Sequence, residues 1–589
     1  MGGDVTVTLT LTDGKITGCT AEGKDETPGI GTMALEQLPG AIAESGSIAV
    51  DGVATATITS DAIKEAAAAA LTAAGLNADD YKTAVEAENT KAEDSTIDAD
   101  VAIVGAGGAG MTAAITAAAE GKSVVILESQ PMVGGNSVRA TGGMNAGKTV
   151  YQDENEFGES AGVEKTLKTA AEKYADNATI TALAKTVSEQ WAAYQADPKG
   201  YFDSVELMEL DTMIGGKGLN NPELVETLCS NSADAIDWLD EHGITLHSVS
   251  SFGGASVKRI HRPVDGDGKT VSVGSYMIPL LQENCDKAGV QTLLNTTATE
   301  ILTDANGAAV GVKATGASGE TVTVNAKAVV LATGGFGANL DMVTKYKPEL
   351  KGFMTTNAAG AQGQGIEMAT AIGADTVDMD QIQIHPTVEA NTAALITEGL
   401  RGDGAVLINA EGKRFIDEVG TRDVVSAAEI AQTGSYSWLV VDQAMVDASS
   451  VIQGYIKKGY TVTGETYEEL GKAMGVDEAA FAETMNTWNG YVEAKNDPDF
   501  GRTSFANPLN TAPYYAIKVT AGVHHTMGGL KINTNTEVLK ADGSVIPGLF
   551  AAGEVTGGVH GANRLGGNAV ADFTVFGRIA GAAASKYAA

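Results

Sequence analysis

Val101-Ala-Ile-Val-Gly105-Ala-Gly107-Gly-Ala-Gly110, an Ala-rich run to about Glu120, and Ser123-Val-Val-Ile-Leu-Glu128 together decide the fold. The opening apolar run is the pattern of a parallel strand buried on both faces. The Gly-x-Gly-x-x-Gly after it opens a helix, and a second apolar strand ends on a carboxylate about twenty residues on. Glycines at these positions let the backbone approach a pyrophosphate at the positive end of the helix, and Glu128 can accept from a ribose hydroxyl. Gly105, Gly107, Gly110 and Glu128 are therefore candidate dinucleotide-binding residues. A packing turn that merely tolerates glycine would not explain Glu128.

Three further segments favour FAD over a nicotinamide cofactor. Gly134-Gly135-Asn136-Ser137 follows the second strand, Ala332-Thr333-Gly334-Gly335 ends a later one, and Gly553-Glu554 lies near the C-terminus. A chain that returns to its cofactor from so far along suits a long ligand. A helix N-terminus expected after Gly553-Glu554 would stabilise the reduced flavin's N1–C2=O edge.

Towards the N-terminus, residues 1–75 read as a small α+β unit. Val5 to Leu11 alternates, Asp13-Gly14 turns, Ile16 begins a second strand, Ser47 to Ile58 is strand-like, and Asp61 to Ala74 is an Ala-rich helix stopped at Gly75. Residues 76–97 are polar and charged, a linker or bridging helix. Helical patterns run around 163–195 and 222–242, and hairpin strands occupy about 291–332.

Composition narrows the function. A chain of 589 residues holds more than one core. It carries 39 basic against 75 acidic residues, a net charge of −36, which repels nucleic acid and anionic lipid. A local Arg/His cluster can still reverse the potential inside a cleft. Cys19, Cys229 and Cys285 are far apart and lack the spacing of a disulfide framework, a c-type haem or an iron–sulfur cluster. No apolar run approaches the ~18–20 residues of a membrane span, and no signal peptide is present. The chain opens with Met1-Gly-Gly directly before a strand, so an export signal is expected to have been removed.

Residues from about 98 to 589 resemble the fumarate reductase flavoprotein family, in particular its soluble single-chain, flavocytochrome c-like members. The matching stretches are Gly134-Gly-Asn-Ser with Thr141-Gly142-Gly143-Met-Asn145, Gln383-Ile-His385-Pro-Thr, Ile396-Thr397-Glu398-Gly-Leu-Arg401-Gly, Gly412-Lys-Arg-Phe-Ile-Asp-Glu418 with Thr421-Arg422-Asp423, His524-His525-Thr-Met-Gly-Gly529, and His560-Gly-Ala-Asn-Arg564-Leu-Gly-Gly567-Asn568. The resemblance implies an α/β architecture: a Rossmann-like FAD-binding domain in two parts (98–378 and 524–589), an inserted α+β clamp domain (379–523), a linker (76–97) and the N-terminal unit (1–75). It adds Gly142, Gly143, Thr333, Asn568 and Ala569 to the candidate FAD contacts. Where membrane-bound members carry a histidine bonded to FAD, this chain has Asn136, so noncovalent FAD is expected.

A small dicarboxylate needs anchoring at both ends. Arg564 offers a planar fork suited to a carboxylate. His385, His524 and Thr397 can hold the other, with Gln383 and Gly567 nearby. Four of the seven histidines (385, 524, 525, 560) fall in these few motifs, a concentration that scattered core histidines would not show. The family's reaction is hydride transfer from flavin N5 to an alkene carbon, with a proton delivered to the other. By resemblance the acid is Arg422, resupplied through Glu398 and Arg401. A free guanidinium holds its proton to a pKa of ~12.5–13.8, so the acceptor must be a strongly basic carbanion. Glu398 and Arg401, three apart, share a face if that stretch is helical.

The N-terminal unit resembles a second family, FMN-binding domains that carry flavin on a threonine. Its carrying stretches are Glu26-Thr-Pro-Gly-Ile-Gly-Thr32 and Asp51-Gly-Val-Ala-Thr-Ala56-Thr57-Ile-Thr-Ser60, with Thr57 the acceptor by position. Ala54 and Thr55 stand where that family has Ser/Thr and Gly. Alternatively, Thr55, Thr57 and Thr59 form one face of a strand. Such an FMN would relay electrons from an unidentified donor to FAD, the job haem domains do in related enzymes; no haem motif occurs here. The leading expectation is reduction of fumarate to succinate. A second keeps the scaffold and changes the acceptor to urocanate, acrylate, methacrylate or a cinnamate, with Leu395 and Ser251-Phe252 candidate lining residues. A reading of another class is a flavin electron-transfer protein. Threonine-linked FMN domains imply an extracytoplasmic location.

Overall fold

The computed structural model describes residues 4–24, 26, 31–50, 52, 53, 56–82 and 91–589. Its centre is an eight-stranded sheet. Ser95–Val104 lies inside it, flanked by Thr321–Leu331 on one side and Val124–Leu127 on the other. Both pairings are parallel, from Val322 opposite Ser95 to Leu331 opposite Val104, and from Val101 opposite Val124 to Val104 opposite Leu127. Val545–Ala551 extends the sheet beyond Thr321–Leu331, again in parallel, so the C-terminal part of the chain completes a layer begun near residue 95.

The run Val101 to Val104 is buried, as a strand covered on both faces must be. Helix Gly108–Ala119 packs against the closing helix Asn568–Tyr587. Gly577 and Gly581, one turn apart, make that crossing close. A Cβ at either would stand 2.8 Å from the Ala109 carbonyl oxygen or 2.4 Å from that of Ala113.

A five-stranded sheet forms the other body: Ile382–Glu389, Tyr514–Thr526, Tyr436–Asp442 and Val406–Ile408 in that order, with Thr461–Gly464 also on Tyr514–Thr526. One strand, Tyr514–Thr526, contains both residues of the border expected at 523/524. Inside this body Trp488 lies between two guanidinium groups, Arg414 at 4.0 Å and Arg502 at 5.0 Å from its ring centroid. Both arginines pair with the buried Glu418, and Arg414 also with Asp497.

The N-terminal unit has its own core of Ile16, Ala34, Leu38, Ile42, Ile63, Ala67 and Leu71. Strands Thr6–Thr12 and Lys15–Glu22 pair antiparallel, as the alternation predicts. Helix Gly31–Ser45 escapes sequence reading because Pro39 and Gly40 interrupt it, yet Ala34, Leu38 and Ile42 recur at i, i+4, i+8 on its buried face. The strand expected over Ser47 to Ile58 is absent among the described residues. Thr57 instead opens helix Thr57–Ala73, whose first turn contains Thr59, so these two threonines lie on a helix. Ala54, Thr55 and the side chain of Thr57 lie outside the described residues, as do Thr27–Ile30. Of residues 76–97, Ala78–Tyr81 form a 3₁₀ turn, residues 83–90 lie outside the described set, and the central strand already begins at Ser95.

Candidate active site

One long cavity runs between the two sheets. At one end Glu128 closes the second parallel strand and accepts from the Ala106 N–H at 2.8 Å and the Gln130 N–H at 2.9 Å. Burial raises the pKa of its carboxyl. Ser137 accepts from the Gly108 N–H at 3.1 Å, at the start of the helix. The three glycines of the motif separate by purpose. Gly105 has φ +104° and its Cβ would lie 2.4 Å from the Ala332 oxygen; Gly110's would lie 1.9 Å from the Gly105 oxygen. Both are demanded by the fold. Gly107 is not: its Cβ would meet nothing nearer than 3.7 Å, so the protein leaves its cavity side free for a ligand's close approach.

Asn136 donates to Asn357 Oδ1 at 2.6 Å and accepts from the Ala358 N–H at 2.7 Å, which ties the Gly134–Ser137 loop to a segment more than two hundred residues away. Glu554 accepts from the Thr526 N–H at 2.9 Å. Gly553–Val555 is a 3₁₀ turn, and the helix expected after the Gly-rich loop begins at Asn568. Gly567 precedes that helix with φ +83°. Thr333 Oγ1 and Arg564 Nε are buried without a protein partner. Gly107's free side, a helix N-terminus, Glu128, and the glycines at 134, 135, 142, 143 and 334 fit FAD, which these residues would hold in this cavity.

At the other end two strands bring the histidines together. Gln383 pairs with His525 and His385 with Gly522 across a register shift, leaving the His385 and His524 rings 4.9 Å apart. His385 Nδ1 accepts from the Thr387 N–H at 3.1 Å, so its Nε2 carries the proton of a neutral ring. Burial first, then the charge of Arg422, hold both imidazoles well below the ordinary histidine pKa.

Arg422 is the first residue of helix Arg422–Ile430, and the Thr421 hydroxyl before it donates to Asp423 Oδ1 at 2.6 Å. Its Nε donates to Glu398 Oε2 at 2.6 Å and its Nη1 to Gln383 Oε1 at 3.0 Å. Glu398 precedes the short helix Gly399–Gly402, and the other face of its carboxylate meets Arg401 Nη2 at 3.0 Å, as the three-residue spacing predicts. His385 Nε2 lies 4.0 Å from the same carboxylate. Arg564 forms no ion pair with a carboxylate among the described residues, and burial, then Arg422, push its pKa well below the ordinary value. A guanidinium keeps its proton in proteins, so a buried one beside another positive charge favours an anion next to it.

His385, Thr397, Glu398, Arg422, His524, Arg564 and Gly567 line the cavity; so do Phe252 and Leu395, whereas Ser251 does not. Four expected contacts stand behind the lining. Gln383 donates to Asn563 at 2.6 Å and to the Arg564 carbonyl at 2.7 Å, orienting both arginines. Arg401 stands behind Glu398, Gly110 behind Gly105, and Asn568 accepts from Asn145 at 2.7 Å. Sequence reading missed Arg139, Thr356 and Asn357. Thr356 bonds His524 Nδ1 at 2.8 Å, and the stretch Thr355-Thr-Asn357 carries no motif that announces it.

The chain matches the family model described as FAD binding domain over residues 100–197 and 190–570, and the one described as FMN-binding domain over 1–72. It is 41% identical over 558 residues to the NADH:fumarate oxidoreductase of Klebsiella pneumoniae (strain 342), covering 95% of this chain and 54% of that protein. The chain thus spans about half the length of that relative. It is 36% identical over 601 residues to the urocanate reductase of Eggerthella lenta, covering 100% of this chain and 91% of that one. Among solved structures, the open conformation of a flavocytochrome c3 fumarate reductase superposes with a TM-score of 0.63 at 38% identity, covering 84% of this chain and 79% of that one. No described helix is long and apolar enough to cross a membrane. The chain therefore belongs to the fumarate reductase flavoprotein family, with an FAD-binding domain and, at its N-terminus, an FMN-binding domain.

Proposed function

We propose that the chain reduces the carbon–carbon double bond of fumarate to give succinate, taking electrons through FMN to FAD. One observation carries the reading: Arg422, Arg564, His385, His524 and Thr397 converge on one stretch of the FAD cavity, with the Glu398 carboxylate against Arg422. FAD bound there supplies the hydride for one alkene carbon. Arg564 binds one carboxylate of the substrate. His385, His524 and Thr397 hold the other through donors, the neutral His385 presenting its Nε2–H. Arg422 gives a proton to the second alkene carbon, and Glu398, bonded to it and to Arg401, returns one. Gln383 fixes the Arg422 guanidinium. The fork geometry suits this, because a planar group held by Glu398 at Nε and Nη2 and by Gln383 at Nη1 keeps its remaining N–H groups in a fixed plane.

Division of the chain at 75, 97, 378 and 523, FMN attachment at Thr57, an extracytoplasmic location and an external electron donor are parts of the same proposal. Thr59 donating to Glu26 at 2.8 Å supports a polar site beside Thr57.

The test is anaerobic oxidation of reduced methyl viologen by flavin-loaded protein, with fumarate, urocanate, methacrylate and cinnamate compared. Fumarate should be preferred strongly. Preference for urocanate would favour the second reading, which the full-length likeness to a urocanate reductase supports. Absence of turnover on all four acids would leave a flavin electron carrier.

A further inference from the structure

Glu429 is a buried carboxyl for which the reaction above has no role. It is seven residues after Arg422 on helix Arg422–Ile430, two turns along, so the two share a face, and Ser426 lies between them on it. Glu429 is fully buried. Its Oε1 accepts from the Ser437 hydroxyl at 2.5 Å. Its Oε2 has no protein partner, and neither have Ser426 Oγ and Arg401 Nε, all buried. Arg401 is the charged group that acts on Glu429, and Glu429 acts on Arg401 in return. Buried polar atoms are rarely left unpaired. Ser426 and Glu429 share one helix face and Arg401 acts on Glu429, so their unpaired atoms together offer an ordered water the two to four partners it needs.

We propose that Glu429 resupplies the proton that Arg401 passes on, so that the relay runs from Glu429 through Arg401 and Glu398 to Arg422. This rests on the reading of the site as a reductase of an unsaturated carboxylate. In each turnover one proton leaves Glu429 Oε2, crosses the water at Ser426 to Arg401, and displaces one onward to Glu398 and Arg422; no electrons move along this path. Glu429 is left as a carboxylate and recovers its proton from solvent by way of the exposed end of its helix. The direction fits the fold. The helix starts at the cavity and ends at Ile430, and the turn Thr433–Ser435 beyond it is exposed. Two local features keep the donor loaded near neutral pH. Burial, opposed by the Ser437 hydroxyl and by Arg401, raises the carboxyl to about 8, and a carboxylate in the last turn would face the negative end of the helix dipole. A donor near the working pH is also the efficient one. Glu429 touches neither substrate nor flavin; it acts through Arg401.

The experiment is Glu429→Gln in the full flavin-loaded chain, with reduced methyl viologen and fumarate from pH 6 to 9, in water and in heavy water. Glutamine keeps the shape and the Ser437 bond and cannot supply a proton. The expected result is a fall in kcat of about tenfold or more, a KM within twofold, a larger solvent isotope effect, and partial rescue by Glu429→Asp. Ser437→Ala, which leaves the carboxyl in place, should slow turnover with the same isotope signature. A wild-type kcat and pH profile in Glu429→Gln would overturn the relay, and so would loss of kcat in both variants without an isotope change. Wild-type protein inactive on every acid would sink the reading of the site and this relay with it, whereas active wild type with an indifferent Glu429→Gln sinks the relay alone.

Discussion

The two ends of the cavity are built on opposite principles. The dinucleotide end is mostly backbone: glycines that admit close approach, a helix N-terminus, and one carboxylate already satisfied by the Ala106 and Gln130 amides. The substrate end is all side chain. Two arginines and two histidines crowd against Glu398, and the pKa values of Arg564, His385 and His524 are all pushed down by burial and by the positive charge around them. The first end offers shape and the second unbalanced charge. Damage to the second should therefore cost rate and substrate affinity while FAD stays bound, and damage to the first should cost FAD.

The largest effect is expected from Arg422→Ala. A positioned general acid contributes ~10²–10⁴-fold, so turnover with fumarate should fall by about that factor while the flavin spectrum stays that of the wild type. Substantial residual reduction would move the acid elsewhere. Arg564→Gln removes the fork that forms no ion pair with a carboxylate among the described residues. Hydrogen bonds to charged groups are worth ~1.5–3 kcal/mol, so the KM for fumarate should rise by roughly 10–100-fold in steady-state assays. If kcat alone falls, Arg564 serves the transition state and not binding.

A smaller pair of changes separates the glycines of one motif. Gly110→Ala would put a methyl 1.9 Å from the Gly105 oxygen, so it should lower the melting temperature even of FAD-free protein. Gly107→Ala meets nothing within 3.7 Å, so the FAD-free protein should melt as the wild type does. Its FAD affinity should fall roughly tenfold, since overpacking costs ~1–3 kcal/mol. Equal melting losses in both would mean that Gly107 too is kept for packing.

The same contrast decides what could be read from the chain. The dinucleotide end is local: Gly105, Gly107, Gly110 and Glu128 lie within one strand–helix–strand unit, and period and spacing reveal them. The substrate end draws on residues near 385, 398, 422, 524 and 564, which become one site only when Gln383 is laid opposite His525. Resemblance named these residues; the fold shows that Gln383 and Arg401 work from behind the lining. Thr356 and Asn357 were illegible because each is defined by its partner, His524 or Asn136, far away in sequence. In the N-terminal unit, β-branched residues near Thr57 favour a strand by propensity, but Ile63, Ala67 and Leu71, buried at i, i+4, i+8, draw that stretch into a helix.

The smallest effect tests how far the charge imbalance reaches. Glu429 has its folded pKa raised from 4.5 to about 8, so the native state holds this proton more tightly than the unfolded chain does. The stability it contributes is full below 4.5 and is lost as the pH rises through about 8. Glutamine at 429 has no such loss. The melting temperature of Glu429→Gln should therefore sit near the wild-type value below pH 4.5, climb above it by a few degrees between pH 4.5 and about 8, and keep that lead at higher pH. A difference that stays constant across that range would mean that Glu429 is already ionised in the folded protein. Arg401 would then be balanced from both sides, by Glu398 and by Glu429, and the excess of positive charge would be confined to the residues that line the cavity.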